Sequence, residues 1–287
     1  MDHPARLDFL KPAEIDKRKE ECPVIFLPIG TIEWHGLHNV VGLDAVKAHA
    51  LCLRGAEMGG GVVHPPHYGA IGGLDEPHTF IFDAEEQLKS DYFVPWIQKW
   101  CREAARNGYK GIVLLTGHYG AAQQIGVRKA AVTMTKELGI PVIGVPEYFL
   151  ALDEQYYGDH AAFFETSLMM ELYPGSVDLD RLGEEPHQGV GGLDPKKNAT
   201  REAGARYTDV IVARLAHLSR RLPQWSGEQI RSYARAEDKI LQKQIDMCNA
   251  ESCWGAWRHI GEGVLDNYPV YLCEERFDEL SAIAEKL

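Results

Sequence analysis

The stretch PVIFLPIGTIEWHGLHNVVGLD, residues 23–44, decides how this chain folds and what it can hold. Its apolar run at 23–29 reads as a buried strand that ends at Gly30. Directly after it come Glu33, His35, His38 and Asp44, four potential metal ligands. Strand ends and the loops that follow them are where α/β proteins place their chemistry. If residues 31–35 stay extended, the period of two puts Glu33 and His35 on one face. A carboxylate beside an imidazole can hold a divalent cation, the imidazole favouring zinc-like metals and the carboxylate manganese-like ones. A polar loop with a solvated Glu and a stray His would show the same spacing, so spacing alone leaves both readings open.

Outward from this stretch the pattern repeats. Asp44 opens a helical segment with an apolar stripe at Val46, Ala50, Leu51 and Leu53, stopped by Gly59, Gly60 and Gly61. His49 within it reads as a packing or surface residue. A second strand near 62–65 runs into a Gly/Pro-rich loop, a length and composition typical of a pocket wall. Residues 84–107 carry a long helical pattern, with Pro95 as a candidate kink and Asn107-Gly108 as its stop. A strand at 111–116 leads straight into Gly117-His118, and a helix follows at 121–138. The fourth strand spans 140–145. Strands alternating with helical patterns are the signature of βαβ units, so the expected fold is α/β, a three-layer α/β/α sandwich with a mainly parallel sheet. Further on, residues five apart on a helix do not share a face, so His160 is placed in a loop and Glu165 on the first turn after it. An N-terminal helical Glu favoured by the dipole would also account for Glu165.

The 287 residues are 45% hydrophobic, enough to bury a large core, and the net charge is −12. With no compensating basic block, neither nucleic acid nor an anionic membrane is expected as a partner. There is no apolar run of about 18 residues and the N-terminal stretch is polar, so neither a signal peptide nor a membrane span is expected. Six cysteines without a C-x-x-C read as reduced thiols of a cytoplasmic protein. Cys248 and Cys253 could ligate a metal or simply pack a helix.

Three of these segments together resemble the creatininase (creatinine amidohydrolase) family. The family's signature, roughly P-x-G-S-x-E-Q-H-G-P-H-L-P-x-x-T-D, finds Pro28, Gly30, Glu33, His35, Gly36, His38 and Asp44 in place. It departs at Trp34, Leu37, Asn39, Val40 and Leu43. In the loop after the second strand, Pro65, Pro66, Tyr68 and Gly69 match, while Asp75, Glu76, Pro77, His78 and Thr79 replace the family's pattern. His118 matches a ligand in the N-G-H-x-G-N segment, with Thr116 and Ala121 in place of Asn. Residues 160–167 are similar to H-A-G-x-x-E-T-S. One branch of the family carries a Glu two residues after the strand-end His. Here that position is Gly120, as in members that draw a ligand from E-T-S, so the chain resembles a divergent member of the family.

The resemblance implies two divalent ions per subunit (Zn, Mn or Fe) bridged by Asp44, one with Glu33 and His118, the other with His35 and Glu165. It implies hydrolysis of a small cyclic substrate, a cyclic amide or related C–N bond, by attack of a metal-bound hydroxide on a carbonyl. His160 is then the acid–base group, and Trp34, Tyr68, His78 and Tyr119 are substrate contacts. Two alternatives stand: a C–C hydrolase of an oxidised cyclitol such as a dehydro-inosose, and a metal-dependent sugar isomerase or epimerase. By the same resemblance the partner is a small molecule and the protein a homo-oligomer, a hexamer. The family-like domain is expected at 1–221. Residues 222–287 form an extension with one helix at 227–249 and an aromatic segment holding Trp254, Trp257, Tyr268 and Tyr271, for burial or for stacking on a cation. His187 is a weak further pocket candidate.

Overall fold

The computed structural model describes residues 3–83, 90–249, 253–257 and 259–287. Its strands are β1 (Val24–Gly30), β2 (Val62–Val63), β3 (His67–Tyr68), β4 (Gly111–Thr116) and β5 (Val142–Pro146). The helices are α1 (Pro12–Glu21), α2 (Leu43–Gly59), α3 (Phe93–Arg106), α4 (Ala121–Leu138), α5 (Phe163–Leu172), α6 (Pro195–Asn198), α7 (Arg201–Arg221), α8 (Gly227–Asp246), α9 (Tyr268–Cys273) and α10 (Phe277–Ala282). The sheet runs β2-β1-β4-β5, with β3 pairing further along β1, and every pair is parallel.

All seven residues of β1 are buried, as a strand covered on both faces requires. Successive side chains serve opposite layers. Val24, Phe26, Val113, Leu115, Ile143 and Val145 enter a core shared with α2, α7 and α9. Ile25, Leu27, Ile29, Ile112, Leu114 and Val142 meet α3 and α4 on the other face. Each such side chain contributes about 1.5–3 kcal/mol by leaving water.

The strand expected at 62–65 is interrupted. Pro65 and Pro66 have no N–H to give a ladder, so the chain leaves the sheet and rejoins it at His67, which pairs with Ile29. The expected strand at 140–145 is observed at Val142–Pro146. Of the helical pattern at 84–107, residues 84–89 lie outside the described residues and the rest is α3. Pro95 falls in the first turn of that helix, where its missing N–H removes no helical hydrogen bond. Helix α8 starts at a capping box of Ser226 and Gln229 and lies against α4. Between them the fully buried Arg128 donates from Nε to Glu237 at 2.5 Å. Among the described residues no helix is long and apolar enough to cross a membrane.

Candidate metal centre

Two glycines bring the first turn of α2 against the sheet. A Cβ on Gly30 would meet the Ala45 nitrogen at 2.2 Å, and one on Gly117 would meet the Asp44 carbonyl oxygen at 2.2 Å. Only with bare backbone at the ends of β1 and β4 can Asp44 sit between the loops that carry Glu33, His35 and His118. Asp159 fixes the fourth contributor. Its carboxylate accepts from the Phe164 and Glu165 amides at 2.6 and 3.1 Å, which holds Glu165 in the first turn of α5, as expected.

The predicted donors come together in three overlapping groups: Glu33, Asp44 and His118; His35, Asp44 and Glu165; and Glu33, His35 and His160. Within each group the donor atoms all lie within 4.8 Å of one another. Asp44 belongs to the first two. Its Oδ2 is 3.1 Å from His118 Nδ1, and its Oδ1 is 3.1 Å from His35 Nε2. Glu33 Oε2 lies 2.9 Å from His118 Nδ1, and Glu165 Oε2 lies 3.6 Å from His35 Nε2.

Surrounding groups aim the donors inward. His118 Nε2 donates to the Gly72 carbonyl at 3.1 Å, leaving Nδ1 toward the carboxylates. His35 Nδ1 donates to the Glu33 carbonyl at 3.0 Å, leaving Nε2 toward them. Such outer contacts set the tautomer of a metal-ligating imidazole. Glu33 Oε1 accepts from the Leu74 amide at 2.8 Å, so Oε2 faces the centre. Glu33 Oε2 and His35 Nε2 are buried within ion-pair distance of their neighbours yet have no hydrogen-bond geometry with any described residue.

The electrostatics agree with a cation site. Burial works against a charged imidazole, but Asp44 and then Glu165 draw His35 up to about 9. His118 moves the same way, up, because Glu33 and Asp44 outweigh burial. Burial pushes the Asp44 and Glu33 carboxyls up, but the two imidazoles hold both below the usual range. Three buried carboxylates around two imidazoles offer nitrogen and oxygen donors together, the chemistry that suits zinc or manganese. The residues therefore fit divalent ions.

His160 stacks on His35 with ring centroids 4.5 Å apart, and its Nε2 donates to the Trp34 carbonyl at 2.9 Å. Burial, followed by the charge on His35, lowers its pKa. His38 stands apart from the donor groups: its Nε2 is 3.0 Å from Thr166 Oγ1, and burial brings its pKa down to about 4. His187 gathers with Glu185 and Asp194 elsewhere.

Above the donors opens a cavity of about 420 Å³. Glu33, His118, Tyr119 and His160 line its floor side, with Gly73 and Leu74 from the loop after β3. Tyr148, Tyr157, Trp254, Trp257 and Ile260 form an aromatic and apolar wall, with Gln124 and Asp159 also in the lining. Of the four expected substrate contacts, Tyr119 is in this lining. Trp34 is not, and its ring stacks with His78 at 6.4 Å. Tyr68 and His78 are outside the lining as well.

Sequence reasoning missed Lys47 and Glu147. Both are fully buried, and Lys47 Nζ lies 2.8 Å from Glu147 Oε1, 2.6 Å from Glu165 Oε1 and 2.9 Å from the Tyr119 hydroxyl. The available signal was a Lys placed three residues after Asp44 in a helix that is otherwise apolar on that side, and a Glu closing the apolar run of β5. Trp254, Trp257 and Ile260 of the 222–287 extension also reach the cavity.

A family model described as creatinine amidohydrolase, Creatininase, matches residues 9–219. The creatinine amidohydrolase of Pseudomonas putida is 28% identical over 230 residues, covering 67% of this chain and 87% of that protein. A solved creatininase described as the Mn form is 28% identical, with a TM-score of 0.63, covering 76% of this chain and 99% of its own. A mutant creatininase of Zn–Zn type is also 28% identical, with a TM-score of 0.63, covering 76% of this chain and 98% of its own.

Proposed function

The chain belongs to the creatininase family, and we propose that it is a metal-dependent amidohydrolase that opens a small cyclic substrate at a carbonyl carbon, breaking a cyclic amide or related C–N bond. The observation that carries this reading is the sharing of Asp44 between two donor groups beneath one cavity, with His160 stacked at their edge. Glu33, Asp44 and His118 would hold one ion, and His35, Asp44 and Glu165 the other. Two such ions, when bound, supply a Lewis acid for the carbonyl and a water acidic enough to attack near neutral pH.

The chain's own residues do the rest. His160 has its Nε2 committed to Trp34, so Nδ1 is the nitrogen that receives a proton and later gives it to the leaving nitrogen. Its lowered pKa keeps it neutral at neutral pH, ready to accept first. Tyr148, Tyr157, Trp254 and Trp257 offer aromatic faces for a flat ring and exclude water. That lining supports a cyclic amide over a polyhydroxylated cyclitol, whose hydroxyls would need many polar partners. The metal-loaded protein incubated with a panel of cyclic amides, dehydro-inososes and aldoses, read by mass spectrometry, tests the assignment. A product heavier by one water from a cyclic amide supports it. An isobaric product would mark an isomerase instead.

The same reading gives a family-like domain over 1–221, a 222–287 segment that completes the cavity wall, and a cytoplasmic homo-oligomer, a hexamer by resemblance. Among the described residues no two cysteines form a disulfide, in keeping with a reducing compartment. Phe80, Ile81 and Phe82 are 57%, 42% and 55% exposed in the single chain, an apolar run that suits a subunit contact. Light scattering at micromolar concentration should give a mass several times that of the monomer.

A further inference from the structure

The two donor groups are not equivalent, and the difference lies in what holds their outer carboxylate oxygens. In the first, Glu33 Oε1 is held by a neutral backbone amide, that of Leu74 at 2.8 Å. In the second, Glu165 Oε1 is held by a full positive charge, the Lys47 ammonium at 2.6 Å. Lys47 lies one turn beyond Asp44 on α2, has no solvent exposure, and places three oxygens within 2.9 Å of its nitrogen. A buried ammonium cannot leave such a site for water, so its charge is a permanent neighbour of the second group.

We propose that Lys47 is a resident counter-cation of the His35–Asp44–Glu165 group and makes the ion held there the weaker and more exchangeable of the two. The proposal rests on the two-ion reading above. Each group counts two carboxylates and one imidazole, so their formal charges are equal before Lys47 is considered. Lys47 touches a donor carboxylate only in the second, through Glu165, so it opposes a divalent ion most strongly there. Gly120 offers no compensating side chain, because a Cβ there would lie 2.6 Å from His118 Nε2. Glu147 is the counterweight. Its Oε1 takes a share of the ammonium and also accepts a hydrogen bond from Tyr119. Removing its charge would turn Lys47 more fully onto Glu165. Filling should therefore be ordered, the Glu33–Asp44–His118 ion first.

The test is calorimetric titration of the full-length, chelator-treated protein with Mn²⁺ alone, with thermal melts confirming that each variant folds. In the unaltered protein the two sites should differ in Kd by about tenfold or more, the scale of one buried unit charge acting on a divalent ion. Glu147→Gln should weaken the second site further. The double variant Lys47→Met with Glu147→Gln removes the pair together, so no buried charge is stranded, and should tighten the second site until the two Kd values lie within about threefold. The first site should hold steady in both. A folded double variant that loses the second ion would mean that Lys47 aims Glu165 and does not oppose the ion, which overturns the proposal. Equal affinities in the unaltered protein, unmoved in the double variant, overturn it as well while leaving two ions in place. One ion only, in every variant and at saturating Mn²⁺, would take the two-ion reading down with it.

Discussion

Beneath the cavity, in a floor of which Glu33 and His118 reach the lining, Glu33, Asp44, His118 and Glu165 are at most 2% exposed; on the wall, Trp254 is 57% exposed. The floor hangs from the ends of β1 and β4 and from the first turns of α2 and α5. Much of the wall comes from Trp254, Trp257 and Ile260, beyond the span 9–219 that matches the family. A cluster of buried charges is stable only if every member is paired, so the floor tolerates little change. An aromatic wall acts through area and shape, which degrade gradually. The floor should therefore set whether chemistry happens, and the wall which ring enters.

Substitutions can break this division in order of severity. Asp44→Ala should do the most damage, because each carboxylate oxygen faces a different donor group. Bound metal should drop from two equivalents to well under one, and turnover should fall by more than the 10²–10⁴-fold (about) typical of a lone acid–base group. Glu165→Ala should remove the second ion selectively and leave about one equivalent, since no side chain at Gly120 can take over; elemental analysis of the purified variant decides it. Two equivalents retained would shift the second ion onto another residue such as His160. His160→Ala should leave the metal content intact while kcat falls by about 10²–10⁴-fold. Burial lowers the His160 pKa, so in the parent enzyme the acid limb, where His160 gains its proton and activity falls, should have its midpoint below pH 6.5. A pH–rate profile whose acid limb has its midpoint above pH 6.5 would contradict that role.

Floor and wall also differed in how legible they were. The runs at 24–29 and 112–115 are apolar throughout, and β1 and β4 appear where those runs stand, because a strand covered on both faces needs little else. Pro65 and Pro66 already announced trouble for the strand at 62–65, but that His67 and Tyr68 return to pair with Ile29 and Gly30 depends on register, which a local pattern does not carry. Glu33, His35, Asp44, His118 and Glu165, which the fold brings together, were singled out mainly by the resemblance, since their spacing alone suits a plain polar loop as well. Lys47 was not: a Lys in an amphipathic helix ordinarily reaches solvent, and only Glu147 and Glu165, 100 and 118 residues away, make its burial tolerable. Tyr68 and His78 were drawn to the pocket by the composition of their loop, whereas Gly73 and Leu74 are the members of that loop that line it. Trp254 and Trp257 gave no local hint of direction. Their place follows from α8 packing on α4 through Arg128 and Glu237, a pairing 109 residues apart.

The mildest expected effect sharpens the division most. Trp254 lines the cavity yet is more than half exposed, so Trp254→Ala removes wall area without opening a hole in the core, and the melting temperature should shift little. If the wall only grips the ring, its loss is felt equally by bound substrate and transition state, which raises KM and leaves kcat alone. An aromatic contact of about 0.5–1.5 kcal/mol corresponds to a rise in KM of roughly two- to tenfold. Trp254→Phe, which keeps a flat face, should recover most of it, and both variants should hold the same metal as the parent. The measurement is kcat and KM on whichever cyclic amide the mass-spectrometric panel identifies, with metal content taken on the same preparations. A fall in kcat at unchanged KM would mean that the wall orders the floor, since a contact that merely binds the ring cannot slow the bound complex.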